Sequence, residues 1–361
     1  MSRPLPALAV AAVAFASVAV AADGTAPFAK DLWTQLGKEK GNVVYSPYSI
    51  AAALDLARQG AKGATRDEIK KLIHDTPAKL GIDGVSVANH LWGQEGYHFQ
   101  DGLTIDRIDF RADPEAARQK INGQIAKETH DKIQDLIDKG LIDKDARLVL
   151  TNALYLKAKW LDVFETNFTS TQEFTSLDGS KIPVHLMHES LHGVNYGHSD
   201  ALQVVELPYE GDRLVMDVIL PKDAHTYALD LDSALALLTE RGADVYLPRF
   251  EVTTRVSLKK PLMDLGMKTA FDPSAADFSG FTGNRELSIS EAITQTYIKV
   301  DEAGTEAAAA TAIIMKAGAA FQQPPVFKAD HTFFFAIRDT RSNAVLFCGR
   351  IDQPTRAQSE K

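Results

Sequence analysis

The segment DEAGTEAAAATAIIMKAGAAFQQPP, residues 301–325, decides how the rest of the chain is interpreted. It joins two predicted strands, and connections of more than about 15 residues are uncommon in compact domains unless they are functional or disordered. Disordered linkers are polar and charged, whereas residues 303–325 contain only two charged side chains, Glu306 and Lys316. The composition therefore indicates a segment that is suited to burial.

Local propensities leave two conformations open for this segment. Four consecutive alanines at 307–310 have the highest helix propensity and only residues 311–314 favour a strand, so propensity alone favours a helix. As a strand, the segment would carry small and then larger side chains on one face, and no proline would interrupt its hydrogen-bond ladder before Pro324. That face comprises Thr305, Ala307, Ala309, Thr311, Ile313 and Met315. Such a strand could slide between two existing strands.

The first residues are typical of an export signal. Arg3 precedes an apolar run of mostly Ala and Val at residues 5–21, which ends in the small-residue triplet Ala-Val-Ala. A transmembrane anchor would need about 20 apolar residues and a charged stop, and the following Asp-Gly provides neither. We therefore predict a signal peptide of bacterial type at residues 1–21 and one mature domain at residues 22–361, secreted or periplasmic and without a membrane span.

Charge and cysteine content exclude several functional classes. The formal net charge of −9 argues against nucleic acid and heparin-like polyanions as partners. The single cysteine, Cys348, excludes a disulfide framework. Because Cys348 lies in an apolar run, we expect a buried small side chain and not a reactive thiol.

The rest of the chain predicts an α+β fold, with helices concentrated toward the amino end and strands toward the carboxyl end. Ser46 and Pro47 supply a cap and a first-turn proline for a helix that ends at Gly60. Further helices are predicted at 28–36, at 65–73 behind the capping-box pattern Thr65-x-x-Glu68, at 113–125 with a loose continuation through 132–137, and at 258–265. Strands are predicted at 42–45, 85–92, 148–156, 184–187, 202–207, 214–220, 297–301, 333–338 and 344–347. No repeat or interdomain linker is visible.

One motif suggests an enzyme. His188-Glu189-x-x-His192 matches the zinc-protease pattern, in which two histidines one helical turn apart bind zinc, and His198 stands where a longer form has its third histidine. The flanking residues alternate as strands do, and Asn195 occupies the position where the longer form requires glycine. We therefore predict no metal, no cofactor and no catalytic residues, with adventitious metal binding by these histidines as the residual alternative.

Residues 301–311, DEAGTEAAAAT, resemble the hinge of the reactive-centre loop of inhibitory serpins, and the match is long and specific. Other motifs that resemble the family follow in the family's order at 42–49, 152–160, 207–211, 247–250, 265–267, 271–279, 333–338 and 347–350. The resemblance implies the serpin fold, with three β-sheets, a bundle of about eight helices and an exposed reactive-centre loop at about residues 303–325.

The resemblance also implies a mechanism, in which a target serine protease cuts the loop, is trapped as a covalent acyl-enzyme and is displaced when the loop inserts into the main sheet. The protein would then act as a monomeric inhibitor and not as an enzyme. The hinge residues implied are Glu302, Gly304, Thr305, Glu306, Ala307, Ala308, Ala309, Ala310 and Thr311. The region of sheet opening implied comprises Ser46, Ser49, Asn152, Trp160 and Thr294.

The reactive bond depends on how the loop is counted. The family's customary hinge length, counted from Glu302, places the bond at Gly318-Ala319, which would suit an elastase-like or subtilisin-like protease. Counting backward from the following strand places it at Phe321, which would suit a chymotrypsin-like protease. Lys316 is the trypsin-like alternative.

Departures from the family pattern carry further expectations. Most of the family's fourth helix is missing between residues 73 and 85, and the fifth is shortened near 99–110, so glycosaminoglycan binding through the fourth helix is not expected. Thr294 stands where many relatives have histidine, which leaves its hydrogen bonding with Asn152 and Ser46 open. Non-inhibitory relatives, which act as carriers or chaperones, tend to carry bulky, charged or proline residues in the hinge, and this chain does not. A structural surface protein would need repeats or an anchor, and neither is visible.

Overall fold

The computed structural model describes residues 25–74, 80–240, 242–305 and 324–357. Seven α-helices lie within these residues: α1 (Thr25–Leu36), α2 (Pro47–Gly60), α3 (Gly63–Ile73), α4 (Pro114–Glu128), α5 (Leu231–Leu235), α6 (Lys259–Asp264) and α7 (Ser279–Thr282). Two short 3-10 helices add Thr166–Phe168 and Thr269–Phe271. Among the helices described, none is long and apolar enough to cross a membrane.

The strands form three sheets, as expected. The main sheet has the order β3 (Asp106–Ile108), β2 (Val85–Gln94), β4 (Leu148–Leu156), β14 (Ile289–Asp301), β15 (Gly304–Thr305) and β5 (Ala158–Lys159), and β13 (Phe250–Ser257) also pairs with β14. A second sheet has the order β16 (Val326–Lys328), β12 (Ala243–Pro248), β7 (Lys181–Leu191) and β6 (Ser170–Thr175). A third has the order β1 (Val43–Tyr45), β18 (Val345–Ile351), β17 (Phe333–Asp339), β10 (Leu214–Pro221), β9 (Leu202–Pro208), β8 (Asn195–His198) and β11 (Thr239–Glu240).

Helix α2 begins as the sequence predicts, and it packs beneath the main sheet. The Ser46 hydroxyl accepts a hydrogen bond from the Ser49 amide at 3.0 Å, and Pro47 occupies the first turn. Strand β4 is buried along its whole length, as expected for a strand covered on both faces.

The capping-box prediction for α3 is wrong. The helix begins two residues earlier, at Gly63, and its cap position has no side-chain hydrogen bond. Thr65 is turned inward, where its hydroxyl accepts from the Asp277 amide at 3.0 Å. Glu68 instead caps the 3-10 helix at Thr269–Phe271, because its carboxylate accepts from the Thr269 amide at 2.9 Å. Both side chains bond a segment 200 residues or more away in the chain.

The predicted continuation of α4 through 132–137 is also wrong, as is a shortened helix near 99–110. Helix α4 ends at Glu128, and His130 and Asp131 then adopt left-handed conformations, with φ of 52° and 61°, that no helix can continue through. Asn122 binds both backbone groups of Ile137, so the segment is held to α4 as an irregular layer. Residues 99–110 form turns and the short strand β3.

Two apolar layers enclose the main sheet. Helices α1, α2 and α3 pack on one face, whereas α4 and the irregular segment after it cover the other. This second layer, which we call the covering layer (residues 114–146), packs on side chains of both β4 and β14.

Cys348 is fully buried, as predicted, and burial raises the pKa of its thiol to about 12.

Candidate functional site

A gap in the main sheet defines the candidate site. Strands β4 and β14 are parallel neighbours from Leu148 as far as Leu154, which pairs with Thr296. Beyond this point the two strands separate, and the two-residue strand β15 lies between β14 and β5, antiparallel to both. Part of the predicted hinge therefore already occupies the upper end of the gap.

Gly304 and Thr305 fill this position for different reasons. Gly304 has a φ of +140°, and a Cβ atom there would lie 2.3 Å from the Ala158 carbonyl oxygen, so only glycine fits. Thr305 is fully buried, and its hydroxyl lies 2.7 Å from the Tyr209 hydroxyl. Trp160 stacks on Tyr209 with ring centroids 4.5 Å apart, and its indole N–H donates to the Asp301 carbonyl at 3.0 Å.

Glu302 anchors the turn between β14 and β15. Its carboxylate accepts hydrogen bonds from the Arg249 guanidinium, through Nε at 2.8 Å, and from the Thr169 hydroxyl at 2.6 Å. Burial alone would raise the pKa of Glu302, but these hydrogen bonds outweigh it and lower the pKa below its usual value. The Glu302 carbonyl also accepts from the Phe164 amide at 3.0 Å. The hinge is therefore held at its base by an ion pair and by the backbone.

A polar cluster lies beneath the sheet where β4 and β14 are still paired. The Thr294 hydroxyl donates to Asn152 Oδ1 at 2.6 Å, which bridges the two strands. Asn152 Nδ2 lies 2.5 Å from the Ser49 hydroxyl and 2.6 Å from Asn89 Oδ1. We call these four residues, Thr294, Asn152, Ser49 and Asn89, the polar latch. Ser46 is fully buried beside it, but its recorded side-chain hydrogen bond caps α2 and does not reach Asn152.

Removing the Thr294 hydroxyl should weaken the closed sheet. Thr294→Val keeps the shape of the side chain but takes from the buried Asn152 oxygen the donor that bridges to β14. We expect a loss of about 1–3 kcal/mol in the free energy of unfolding of the intact protein, measured by urea denaturation. Thr253→Val, at an exposed position of β13, is the matched control, with an expected change in the free energy of unfolding within about 0.5 kcal/mol. Equal stability of both variants would contradict a bridging role for Thr294.

Several residues of the site could not be identified from the sequence. Arg249, Thr169, Tyr209 and Asn89 are distant in the chain from the residues they bind. Arg249 and Tyr209 lie in the family-like motifs at 247–250 and 207–211, but the sequence does not assign them these partners. Of the hinge, Glu302, Gly304 and Thr305 lie within the described residues. The remaining hinge residues, 306–311, and the reactive-bond candidates Gly318, Ala319, Phe321 and Lys316 lie outside them.

The zinc-protease alternative fails on its local structure. His188 and Glu189 lie on strand β7, and His192 follows its end, so the two histidines are not one helical turn apart. His188 stacks on Tyr246, with ring centroids 4.1 Å apart, and makes an edge contact with Phe168. Within the described ranges, no group of three or more histidine, cysteine and acidic side chains is arranged to hold a metal ion.

Comparisons with known proteins agree with this architecture. The family description "Serpin (serine protease inhibitor)" matches residues 23–354. An uncharacterized serpin-like protein of Methanosarcina acetivorans is 34% identical, with 91% of this chain and 84% of the relative covered. Human Serpin B8 is 32% identical, with 92% and 98% covered. The crystal structure of Serpin48, a highly specific serpin of the insect Tenebrio molitor, has a TM-score of 0.82 and 28% identity, over 92% of this chain and 97% of that one. The described gap, its hinge and these matches along the chain together show that it belongs to the serpin family.

Proposed function

We propose that this protein inhibits serine proteases by a suicide-substrate mechanism: the protease cuts the reactive-centre loop, forms an acyl-enzyme and is trapped when the loop inserts into the main sheet. The observation that carries the proposal is the position of β15. Its two residues lie between β14 and β5, antiparallel to both, which is the position that the rest of an inserting strand would extend. The acyl bond forms first, and this extension would then carry the attached protease away from the point of attack before water could hydrolyse the bond.

The register predicts where the inserted loop would lie. Thr305 pairs with Ala158 on one side and with Val300 on the other. Counting from either side, Thr311 would arrive between Asn152 and Thr294, and these two residues are partners in the closed sheet. The two counts agree, so the gap can accept a strand without a shift in register. The Thr311 side chain, on the same face as Thr305, would reach the polar latch.

Side chains along the path favour rapid entry. Ala307 and Ala309 would follow Thr305 on the same face, and small residues displace little of the packed core. Thr296, at the level that Ala309 would reach, has a buried hydroxyl without a hydrogen-bond partner in the described structure. An unbonded buried hydroxyl lowers the stability of the closed sheet. If the new strand or water supplies a partner, the expanded sheet does not carry this cost.

The proposal predicts a covalent complex. The mature protein, incubated with elastase-like, subtilisin-like, chymotrypsin-like and trypsin-like proteases, should form with at least one of them an adduct that survives boiling in detergent. The reason is that the ester between the protease serine and the loop is trapped and not hydrolysed. Mass spectrometry of the released carboxyl-terminal peptide identifies the bond: a start at Ala319 supports cleavage after Gly318, and starts at Gln322 or Ala317 support the alternatives after Phe321 or Lys316.

Two outcomes would contradict the inhibitor proposal. One is that every protease either ignores the protein or cuts it without a stable adduct, as a non-inhibitory carrier would allow. The other is that EDTA abolishes inhibition and zinc restores it, because no step of the proposed mechanism uses a metal. We expect complex formation to be the same with and without EDTA.

The proposal extends to the protein's location and state. The predicted signal at residues 1–21 directs the mature chain to the periplasm or the medium. There it would act as a monomer on proteases that reach the same compartment, without a glycosaminoglycan as activator. The net charge of −9 supports the absence of a polyanionic partner, since both would be negatively charged.

A further inference from the structure

A histidine joins the covering layer to the edge of the main sheet. His90 lies on β2, and its two ring nitrogens bind carboxylates on two other elements. Nδ1 lies 2.7 Å from Asp106 Oδ2 on β3, and Nε2 lies 2.8 Å from Glu128 Oε2 at the last residue of α4. The imidazole also stacks on Trp92, with ring centroids 4.9 Å apart. The arrangement is a clamp between a helix and a sheet, built from one base and two acids.

The clamp requires a protonated imidazole. An imidazolium donates from both nitrogens, whereas a neutral imidazole donates from one and presents a lone pair at the other. A neutral His90 would therefore place a ring lone pair against a carboxylate oxygen at one of the two contacts. Burial alone would lower the pKa of His90, but the hydrogen bonds to Asp106 and Glu128 outweigh burial and raise the pKa above its usual value.

Two further side chains close to this clamp, Gln124 and Thr151, are uncharged. Gln124, one turn before Glu128 on α4, donates its amide to the second oxygen of Glu128 and so orients that carboxylate. Strand β4 places Thr151 opposite His90 in the ladder. Among the described residues, Asp106 from β3 and Glu128 from α4 are thus the charged side chains that bind His90.

The clamp acts on the layer that loop insertion must disturb. The covering layer packs on Val149 and Ala153 of β4 and on Ile293 and Tyr297 of β14. A new strand between β4 and β14 would move these two strands apart by about 5 Å, the spacing of neighbouring strands. The covering layer cannot stay packed on both, so the helix must shift or lift while the strand enters. Its attachment to β2 and β3 through His90 opposes that movement.

We propose that His90 is a positioning residue that controls the rate of loop insertion through protonation: the protonated side chain holds α4 on the sheet, and the neutral side chain releases it. This inference rests on the proposed function, since it concerns the rate of the insertion step. The direction of the effect follows from linkage. A base with a raised pKa in the folded state adds stability at low pH, and that stability is lost as the pH rises through its folded pKa. The contribution of the clamp to the closed sheet is thus largest at acidic pH, and its loss makes insertion faster at alkaline pH.

Two substitutions have opposite consequences. His90→Gln removes the charge, so the clamp is weak at every pH. Glu128→Gln gives a neutral His90 an amide donor for its free lone pair while Asp106 accepts from the other nitrogen, so the clamp persists at every pH. Both variants should therefore lose the part of the pH dependence that His90 supplies. Insertion should stay fast in His90→Gln and slow in Glu128→Gln.

Two measurements test the proposal. The first is the thermal midpoint of the intact protein from pH 5.5 to pH 8.5, which does not depend on inhibition. The second is the rate of covalent-complex formation over the same range, corrected at each pH for the protease's activity on a small substrate. We expect the corrected wild-type rate to rise about threefold to tenfold, as when part of the stability of one lost charge-assisted hydrogen bond appears in the insertion barrier, and both variants to stay within about twofold.

The remaining titrating groups serve as an internal control. Buried Asp217, whose pKa burial raises to about 6, and His331, whose pKa is raised by its hydrogen bond to Asp330, titrate in the same range and are unchanged in both variants. Their contribution is a background that both variants retain, so a pH dependence of the same size in His90→Gln as in wild type would overturn the proposal. If no protease forms a complex, the proposed function fails, while the thermal midpoints still decide whether the clamp exists.

Discussion

We expect Thr305→Arg to convert the protein from an inhibitor into a substrate. Thr305 is the leading residue of the inserting strand and is already fully buried against Tyr209. An arginine there would place an unpaired guanidinium in the gap between β14 and β5, and burying an unpaired ion costs several kcal/mol even after relaxation. If about 3 kcal/mol of this appears in the barrier, insertion slows about 100-fold. Deacylation, which proceeds at the protease's own rate, then wins.

The measurement is the ratio of cleaved protein to covalent complex, read from the same reaction on a denaturing gel. Wild-type protein should give mostly complex, and Thr305→Arg mostly cleaved protein with free active protease. The cleavage site should be unchanged, because the substitution lies 13 residues or so before the preferred bond. Thr305→Ser is the matched control and should inhibit like wild type. Ala309→Pro should behave like Thr305→Arg for a different reason, the loss of a ladder donor. Inhibition by Thr305→Arg at the wild-type level would contradict insertion through β15.

We expect cleavage in the loop to raise the melting temperature of wild-type protein by about 20 °C. An inserted strand from Thr305 to about residue 314 adds roughly ten ladder hydrogen bonds, each with a net value of about 1 kcal/mol. A chain of this size gains about 2 °C in melting temperature for each kcal/mol. The measurement is differential scanning calorimetry of intact protein and of protein nicked in the loop by a catalytic amount of a non-target protease.

The hinge variant supplies the control for this result. Nicked Thr305→Arg should melt close to intact Thr305→Arg, because its loop cannot enter the gap. An unchanged melting temperature for nicked wild-type protein would contradict insertion, even if a covalent complex had been found.

Local sequence rules predict the elements whose signals are local. Ser46-Pro47 predicts the start of α2, and the β-rich, mostly apolar stretch at 148–156 predicts the buried strand β4 with its bounds. The same rules fail for Thr65 and Glu68, which form a good capping box but bind residues more than 190 positions away. A side chain that binds a distant residue does not form the local cap that its sequence pattern predicts. The distant partner cannot be identified from a single sequence.

The candidate site shows the same division. The composition of residues 303–325 indicates a segment suited to burial, and the resemblance to the serpin hinge identifies Glu302 and Thr305. Their partners lie far away in the chain, Arg249 between β12 and β13 and Tyr209 just after β9, and only the folded chain brings them to the hinge. The register of β15 could not be predicted either, since it depends on the bend where β4 and β14 part.

Strand β15 has a consequence for how the protein's stability is to be understood. The seam between β4 and β14 is a parallel pairing flanked by antiparallel ones, and an antiparallel strand laid between them would make each of these neighbouring pairs antiparallel. Antiparallel pairing is slightly more stable per residue, so under the proposed mechanism the intact chain would occupy a basin above its free-energy minimum. The lifetime of the intact form would then depend on the height of the barrier to insertion and not on the free-energy difference between the two forms. The useful lifetime of such a protein in storage is set by the rate constant of this conversion. Unfolding curves of the intact form should therefore depend on how long the sample has been kept.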